Sequence, residues 1–181
     1  MGSLVLWFTG LPCSGKTTLS NEVKKELVQL GLGVEQLDGD QVRKKQSVFL
    51  GYSREDRMKN VADVVFQASH FSKDGIITLV SLISPYRSMR EYAKKNLDLF
   101  MEIYVRCPLS VCESRDVKGM YRLSREGKIA HFTGISDPYE EPQNPDLIID
   151  TDVSTVQNSV KKIMDYLAGR ESLVRIDNAE K

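Results

Sequence analysis

The chain has 181 residues, room for one domain with its own core and too few for two comfortable ones. Hydrophobic residues make up 41% and charged residues 28%, the balance of a soluble globular protein. Lys+Arg and Asp+Glu both number 25, so the formal net charge is zero, which argues against a nucleic-acid or membrane-surface binder and leaves any charge-based function to local clusters. Cys13, Cys107 and Cys112 show no CxxC spacing, and three cysteines without a secretory leader fit a reduced, cytoplasmic protein. The apolar run 4–8 is far too short for a bilayer, and Leu6 stands where myristoylation wants Ser or Thr, so no membrane partner is expected.

In chain order, residues 4–9 read as a buried strand and 17–30 as a helix with apolar Leu19, Val23, Leu27 and Leu30, ended by Gly31 and Gly33. Residues 34–37 form a second strand that closes on Asp38-Gly39-Asp40. A long helix is expected over 54–73, with Ser53 as N-cap and Asp56 three residues on. Residues 76–82 read as a buried strand, 88–96 as a helix and 100–105 as a strand, and Pro108 opens a short helix. The stretch 116–145 is polar, basic and aperiodic, the character of a mobile lid. A strand over 147–149 and a helix over 154–167 complete a single domain spanning 1–170, followed by a tail over 171–181. Alternating strands and helices predict an α/β fold, a parallel sheet flanked by helices, with ligands outside the carboxyl ends of the strands.

Gly10-Leu11-Pro12-Cys13-Ser14-Gly15-Lys16-Thr17 matches the phosphate-binding loop G-x-x-x-x-G-K-[ST], between a predicted strand and a predicted helix. Glycines let successive backbone N–H groups curve around phosphate oxygens, and the helix start aims its positive end at them. Lys16 supplies a full charge to the β- and γ-phosphates, Thr17 a hydroxyl for Mg²⁺, and Thr18 continues the ATP-binding set. The loop specifies a nucleotide polyphosphate and does not alone separate a kinase from an NTPase switch.

Asp38 and Asp40, two apart at a strand end, point the same way if the backbone there stays extended. Asp40 is the expected base or metal ligand, with Asp38 in support; Asp-Gly is also a common turn pair. Arg57 and Asn60 share a helix face suited to an anionic ligand, and Arg43 lies one turn beyond Asp40. Pro85 is expected to force Ser84 into an extended conformation that offers the backbone of Ile83 and Ser84 to a ligand. Arg115, Lys118, Arg122, Arg125 and Lys128 make the lid a basic flap able to close over polyphosphate.

Several stretches together resemble the adenylylsulfate (APS) kinase family over nearly the whole chain, from Leu6 to Asp150: Leu37-Asp38-Gly39-Asp40-Gln41-Val42-Arg43, residues 50–57, residues 81–86, Lys118-Gly119-Met120-Tyr121, residues 132–135 and Pro138-Tyr139-Glu140-Glu141-Pro142. The resemblance implies a P-loop kinase that uses ATP and Mg²⁺ to phosphorylate the 3′-hydroxyl of APS. It implies that Arg43, Arg57 and Asn60 hold the phosphosulfate end. Tyr52 (usually Phe in the family) and Phe132 would sandwich the acceptor adenine, and Ile83 would give it backbone contacts. Asp38 and Asp40 would serve the 3′-hydroxyl and magnesium, Lys118 would reach the phosphates, and Arg115-Asp116 would meet the donor adenine. Ser84 matches a serine that some members phosphorylate, and the family often dimerises, which implies a homodimer. The chain departs from the family at Ala62, Asp63 and Leu123, where basic residues are common, and in having almost no extension before the first strand. These departures keep open a related kinase acting on another nucleotide-like acceptor, such as a modified nucleoside diphosphate; the phosphate loop taken alone also leaves open, further off, a nucleotide-dependent switch.

Overall fold

The computed structural model describes residues 2–45 and 50–170, so the expected tail over 171–181 lies outside the described residues. In chain order the elements are β1 (Leu4–Thr9), α1 (Lys16–Gln29), β2 (Val34–Asp38), α2 (Gly39–Lys45), α3 (Arg54–Lys73), β3 (Ile77–Ser81), α4 (Arg87–Asn96), β4 (Leu99–Arg106), α5 (Leu109–Ser114), α6 (Met120–Arg125), β5 (Leu147–Asp150) and α7 (Val156–Ala168). The five strands form one parallel sheet in the order β2-β3-β1-β4-β5.

β1 is central, so both of its faces are covered, and side-chain alternation sends its residues to two cores. Leu4, Leu6 and Phe8 meet Leu19, Val23 and Leu27 of α1 and Val160, Ile163 and Leu167 of α7. Val5 and Trp7 meet Val61, Val64, Val65 and Ala68 of α3 and Met89 and Ala93 of α4 on the other face. Each such side chain taken fully out of water contributes about 1.5–3 kcal/mol. The sheet thus holds the ends of β1, β2, β3 and β5 along one rim.

The α3 bounds match expectation because its start is capped locally. Ser53 Oγ accepts the Asp56 N–H at 3.1 Å and donates to Asp56 Oδ2 at 2.9 Å. Two expectations are corrected. Asp38-Gly39-Asp40 is not extended: α2 begins at Gly39, and Asp38 Oδ1 accepts the N–H groups of Asp40 (3.0 Å) and Gln41 (3.3 Å) as its cap. The 116–145 stretch is not wholly irregular: it contains α6, whose first turn donates from Met120 and Tyr121 to the Asp116 carboxylate at 2.9 and 2.7 Å. Among the described residues, no helix is long and apolar enough to cross a membrane, and all three cysteines are free.

Candidate active site

The loop after β1 has the backbone that phosphate cradling demands. Gly10 sits at φ +153°, where a Cβ would meet the Val105 carbonyl oxygen at 2.4 Å, so no larger residue fits. Gly15, at φ +103°, precedes the first turn of α1, and Cys13 holds φ +60°. Lys16 is buried, and its Nζ donates to the carbonyls of Gly10 (3.0 Å) and Leu11 (2.7 Å). Burial lowers its pKa to about 8, partly offset by Cys112, Cys13, Asp40 and Asp38.

Thr17 Oγ1 donates to Asp38 Oδ2 at 2.9 Å. One Asp38 carboxylate therefore ties the phosphate loop to the start of α2. Asp40, in the first turn of α2, is exposed and pairs with Lys118 Nζ at 3.3 Å. Both partners are solvated, so this pair adds little stability, but it brings the 116–145 segment to the end of β2. The donor set fits magnesium. Thr17 gives its proton to Asp38 and keeps its oxygen lone pairs for a cation, and Asp40 offers one carboxylate. No cluster of three or more His, Cys, Asp or Glu exists among the described residues. A hard cation completed by phosphates and waters asks for that set.

On the β5 side, Arg115 donates to the carbonyl (2.7 Å) and hydroxyl (3.3 Å) of Thr151, whose hydroxyl donates to Ser14 O at 2.8 Å. Tyr121 donates its hydroxyl to Pro12 O at 2.9 Å and meets Phe132 edge-on at 4.9 Å between ring centroids. Burial raises the Tyr121 phenol above its ordinary range and keeps it a donor.

On the β2 side, Arg57 is buried and donates from Nε to Tyr52 O (2.9 Å) and from Nη2 to His131 O (2.5 Å). Burial lowers its pKa, and the Arg43 charge adds to the effect. Arg43 donates to Leu50 O at 3.0 Å and to Gly51 O. Both guanidiniums lie against the Tyr52 ring, at 4.8 Å for Arg43 and 5.5 Å for Arg57. Asn60 is buried beside them.

One cleft of about 730 Å³ takes in Pro12, Cys13, Gly15, Lys16, Thr17, Thr18, Asp38, Asp40, Arg43, Tyr52, Arg57, Asn60, Ile83, Ser84, Arg115, Lys118 and Phe132. Of the residues expected in the phosphate loop and the acceptor site, Gly10 and Ser14 do not line it. Two expectations change in detail. Ser84 is not extended but at φ +38°, pinned by tertiary hydrogen bonds that override the local preference before proline: Trp7 Nε1 donates to its Oγ, its Oγ donates to Thr9 Oγ1 (both 3.1 Å), and Arg90 Nη1 donates to its carbonyl at 2.6 Å. Its hydroxyl is therefore buried and engaged, and a phosphate there requires this loop to open. Of the lid cations, Arg122, Arg125 and Lys128 do not line the cleft; Arg125 pairs with Glu113 and Lys128 with Glu126. Thr151 and His131 were missed: Thr151 directly follows the carboxyl end of β5, the position where ligands gather, whereas nothing local marks His131.

A family model described as adenylylsulphate kinase matches residues 2–150. The chain belongs to the adenylylsulfate kinase family. As a member, it is an ATP-dependent kinase that transfers a phosphoryl group to a hydroxyl. The adenylyl-sulfate kinase of Halothermothrix orenii is 49% identical over 164 residues, 91% of this chain and 89% of that protein. A probable adenylyl-sulfate kinase of Archaeoglobus fulgidus is 49% identical over 150 residues, 83% of this chain and 97% of that one. The structure of the Mycobacterium tuberculosis APS kinase CysC in complex with AMPPNP and APS superposes with a TM-score of 0.88 at 35% identity, covering 92% of this chain and 98% of that one. The Aquifex aeolicus shikimate kinase shares the fold with this chain, at 15% identity and a TM-score of 0.53.

Proposed function

We propose that the protein transfers the γ-phosphoryl group of ATP to the 3′-hydroxyl of adenosine 5′-phosphosulfate, making the 3′-phosphorylated product of sulfate assimilation. One observation carries the reading: a phosphate loop with Lys16 and a two-arginine anion site built on Tyr52 share one cleft, with Asp40 on the wall between them. The solved relative with a nucleotide analogue and APS bound supports both halves.

The roles follow from the geometry. The loop 10–17 receives the ATP phosphates, and Lys16 meets them from below once its bonds to Gly10 O and Leu11 O are exchanged for phosphate oxygens. Arg115 and Thr151 flank the donor base on the β5 side. Arg43, Arg57 and Asn60 bind the phosphosulfate, and Tyr52 and Phe132 flank the acceptor adenine. Asp40 takes the 3′-hydroxyl proton as the oxygen attacks in line, and Lys118, released from Asp40, follows the charge onto the transferring group. Thr17 and Asp40 would hold magnesium, which neutralises charge on the β- and γ-phosphate oxygens when bound.

The residues that kept a different acceptor open, Ala62, Asp63 and Leu123, do not line the cleft, so they leave the APS reading undisturbed. The unit spanning 1–170, the cytoplasmic location and a homodimer belong to the same proposal. A relative from Thiobacillus denitrificans is described as a hexameric APS kinase, which supports self-association, and sedimentation measures it here. The deciding experiment is ADP release with and without APS, beside a panel of nucleoside diphosphates. APS-dependent release is expected; turnover of another nucleotide with none of APS would overturn the substrate assignment.

A further inference from the structure

The segment Pro138-Tyr139-Glu140-Glu141-Pro142 stands out in the sequence yet has no place in the chemistry above. The structure gives it a partner. Arg90 of α4 is only 3% exposed and reaches three segments at once. Its Nε pairs with Glu102 of β4 at 2.8 Å, its Nη1 donates to Ser84 O at 2.6 Å, and its Nη2 donates to Glu140 O. The Tyr139 ring lies 5.7 Å from the guanidinium, and its hydroxyl meets Thr9 Oγ1 at 2.9 Å.

The proton inventory closes around Thr9. Thr9 spends its own hydrogen on Ile83 O at 2.8 Å, so Tyr139 and Ser84 both donate to Thr9 Oγ1, filling its two lone pairs. Burial raises the Tyr139 phenol above its ordinary range, so it stays protonated and able to donate. On the far side, the Glu140 N–H donates to Pro85 O and the Arg87 N–H to Glu140 Oε2, both at 2.8 Å. The strap 138–142 and the buried guanidinium thus clamp the loop 82–85 from two sides.

That loop follows β3, the neighbour of β2, and Ser81 stands in register with Asp38. Ile83, Ser84 and Pro85 line the cleft on the Asp40 and Arg57 side, whereas Arg115 and Thr151 lie by β5 at the opposite edge of the sheet. A backbone at φ +38° on a serine holds its shape only when its surroundings over-determine it.

We infer that Arg90, together with Tyr139, is a positioning residue that fixes the 82–85 wall of the acceptor half of the cleft, leaving the donor half independent of it. This deepens the adenylylsulfate kinase reading and rests on it.

The test uses Tyr139→Phe and Arg90→Lys in the full chain, with initial rates against APS and ATP and hydrogen exchange of the peptide covering 82–86. Both variants are expected to raise the KM for APS roughly tenfold, with kcat and the KM for ATP little changed, and to speed exchange in 82–86 but not in the phosphate loop. Unchanged exchange, an unchanged KM for APS, or an equal rise in both KM values would each overturn the inference. Should Arg90→Lys not fold, Tyr139→Phe, which loses a single hydroxyl, carries both readouts. Should the wild type fail to turn over APS, the substrate assignment falls, and unaltered exchange in 82–86 still overturns the clamp.

Discussion

Replacing Lys16 with methionine keeps most of the side-chain volume and deletes a charge that the fold buries to 8% exposure. Burial moves that ammonium from its ordinary value of 10.5 to about 8. A gap of that size corresponds to roughly 3 kcal/mol of cost to the native state at neutral pH. The variant also strips the Gly10 and Leu11 carbonyls of their donor, a loss of roughly 1 kcal/mol. Nucleotide-free Lys16→Met should therefore be more stable by about 2 kcal/mol, a rise in Tm of about 4–8 °C for a chain of this length.

The pH dependence follows with a definite sign. Below about 8 the lysine is charged in both states and the cost is present in full. Between about 8 and 10.5 the unfolded chain holds a proton that the native state has lost, so wild-type stability rises with pH through this window. Lys16→Met lacks that rise, and its advantage shrinks as pH climbs. Thermal unfolding by circular dichroism across pH 7–10, without nucleotide and at fixed ionic strength, measures both effects. Added ADP should reverse the ranking, since at a hundred times its Kd a ligand stabilises by about 2.7 kcal/mol and only the wild type binds it well. A nucleotide-free variant less stable than wild type, or two parallel pH profiles, would refute the reasoning.

Other outcomes follow from the same geometry. Arg57→Ala should raise the KM for APS by roughly 100-fold, from lost charge-assisted hydrogen bonds, with the KM for ATP unmoved; equal effects on both would misplace the acceptor. Asp40→Asn should lower kcat by roughly 100-fold or more while ADP binding, read by calorimetry, persists. Ile163→Ala, at a fully buried site between α7 and the sheet, should lower stability by about 2–5 kcal/mol in urea titrations without changing the KM for ATP. Mass spectrometry after incubation with ATP should find Ser84 unmodified in the native protein, because its hydroxyl is occupied by Trp7 and Thr9; a phosphopeptide there would contradict that.

What the sequence made legible was local. The β1 run, the phosphate loop and α3 were readable because a short apolar stretch, a glycine pattern and a Ser53 cap act within a few residues. The turn at Asp38 misled because one hydrogen bond, donated by the N–H two residues on to the aspartate oxygen, serves both an isolated turn and a helix cap, and only the residues that follow decide between them. Ser84 misled for the opposite reason. The preference imposed by Pro85 is local, while the bonds that overrule it come from Trp7 and Thr9, more than seventy residues away. The links from Tyr121 to Pro12 and from Arg57 to His131 leave no trace in spacing, so the seating of the lid could not be foreseen.

Asp38 carries a consequence for redesign. Its two oxygens face different clients, one the Thr17 hydroxyl and the other the backbone that launches Asp40. A change in this carboxylate at the Thr17 end would also tilt the helix that carries Asp40, so the two ends of the cleft are mechanically yoked. Variants with altered acceptor choice should therefore arise at Tyr52 or Arg43 more readily than at Asp38, where one change disturbs both partners of the reaction.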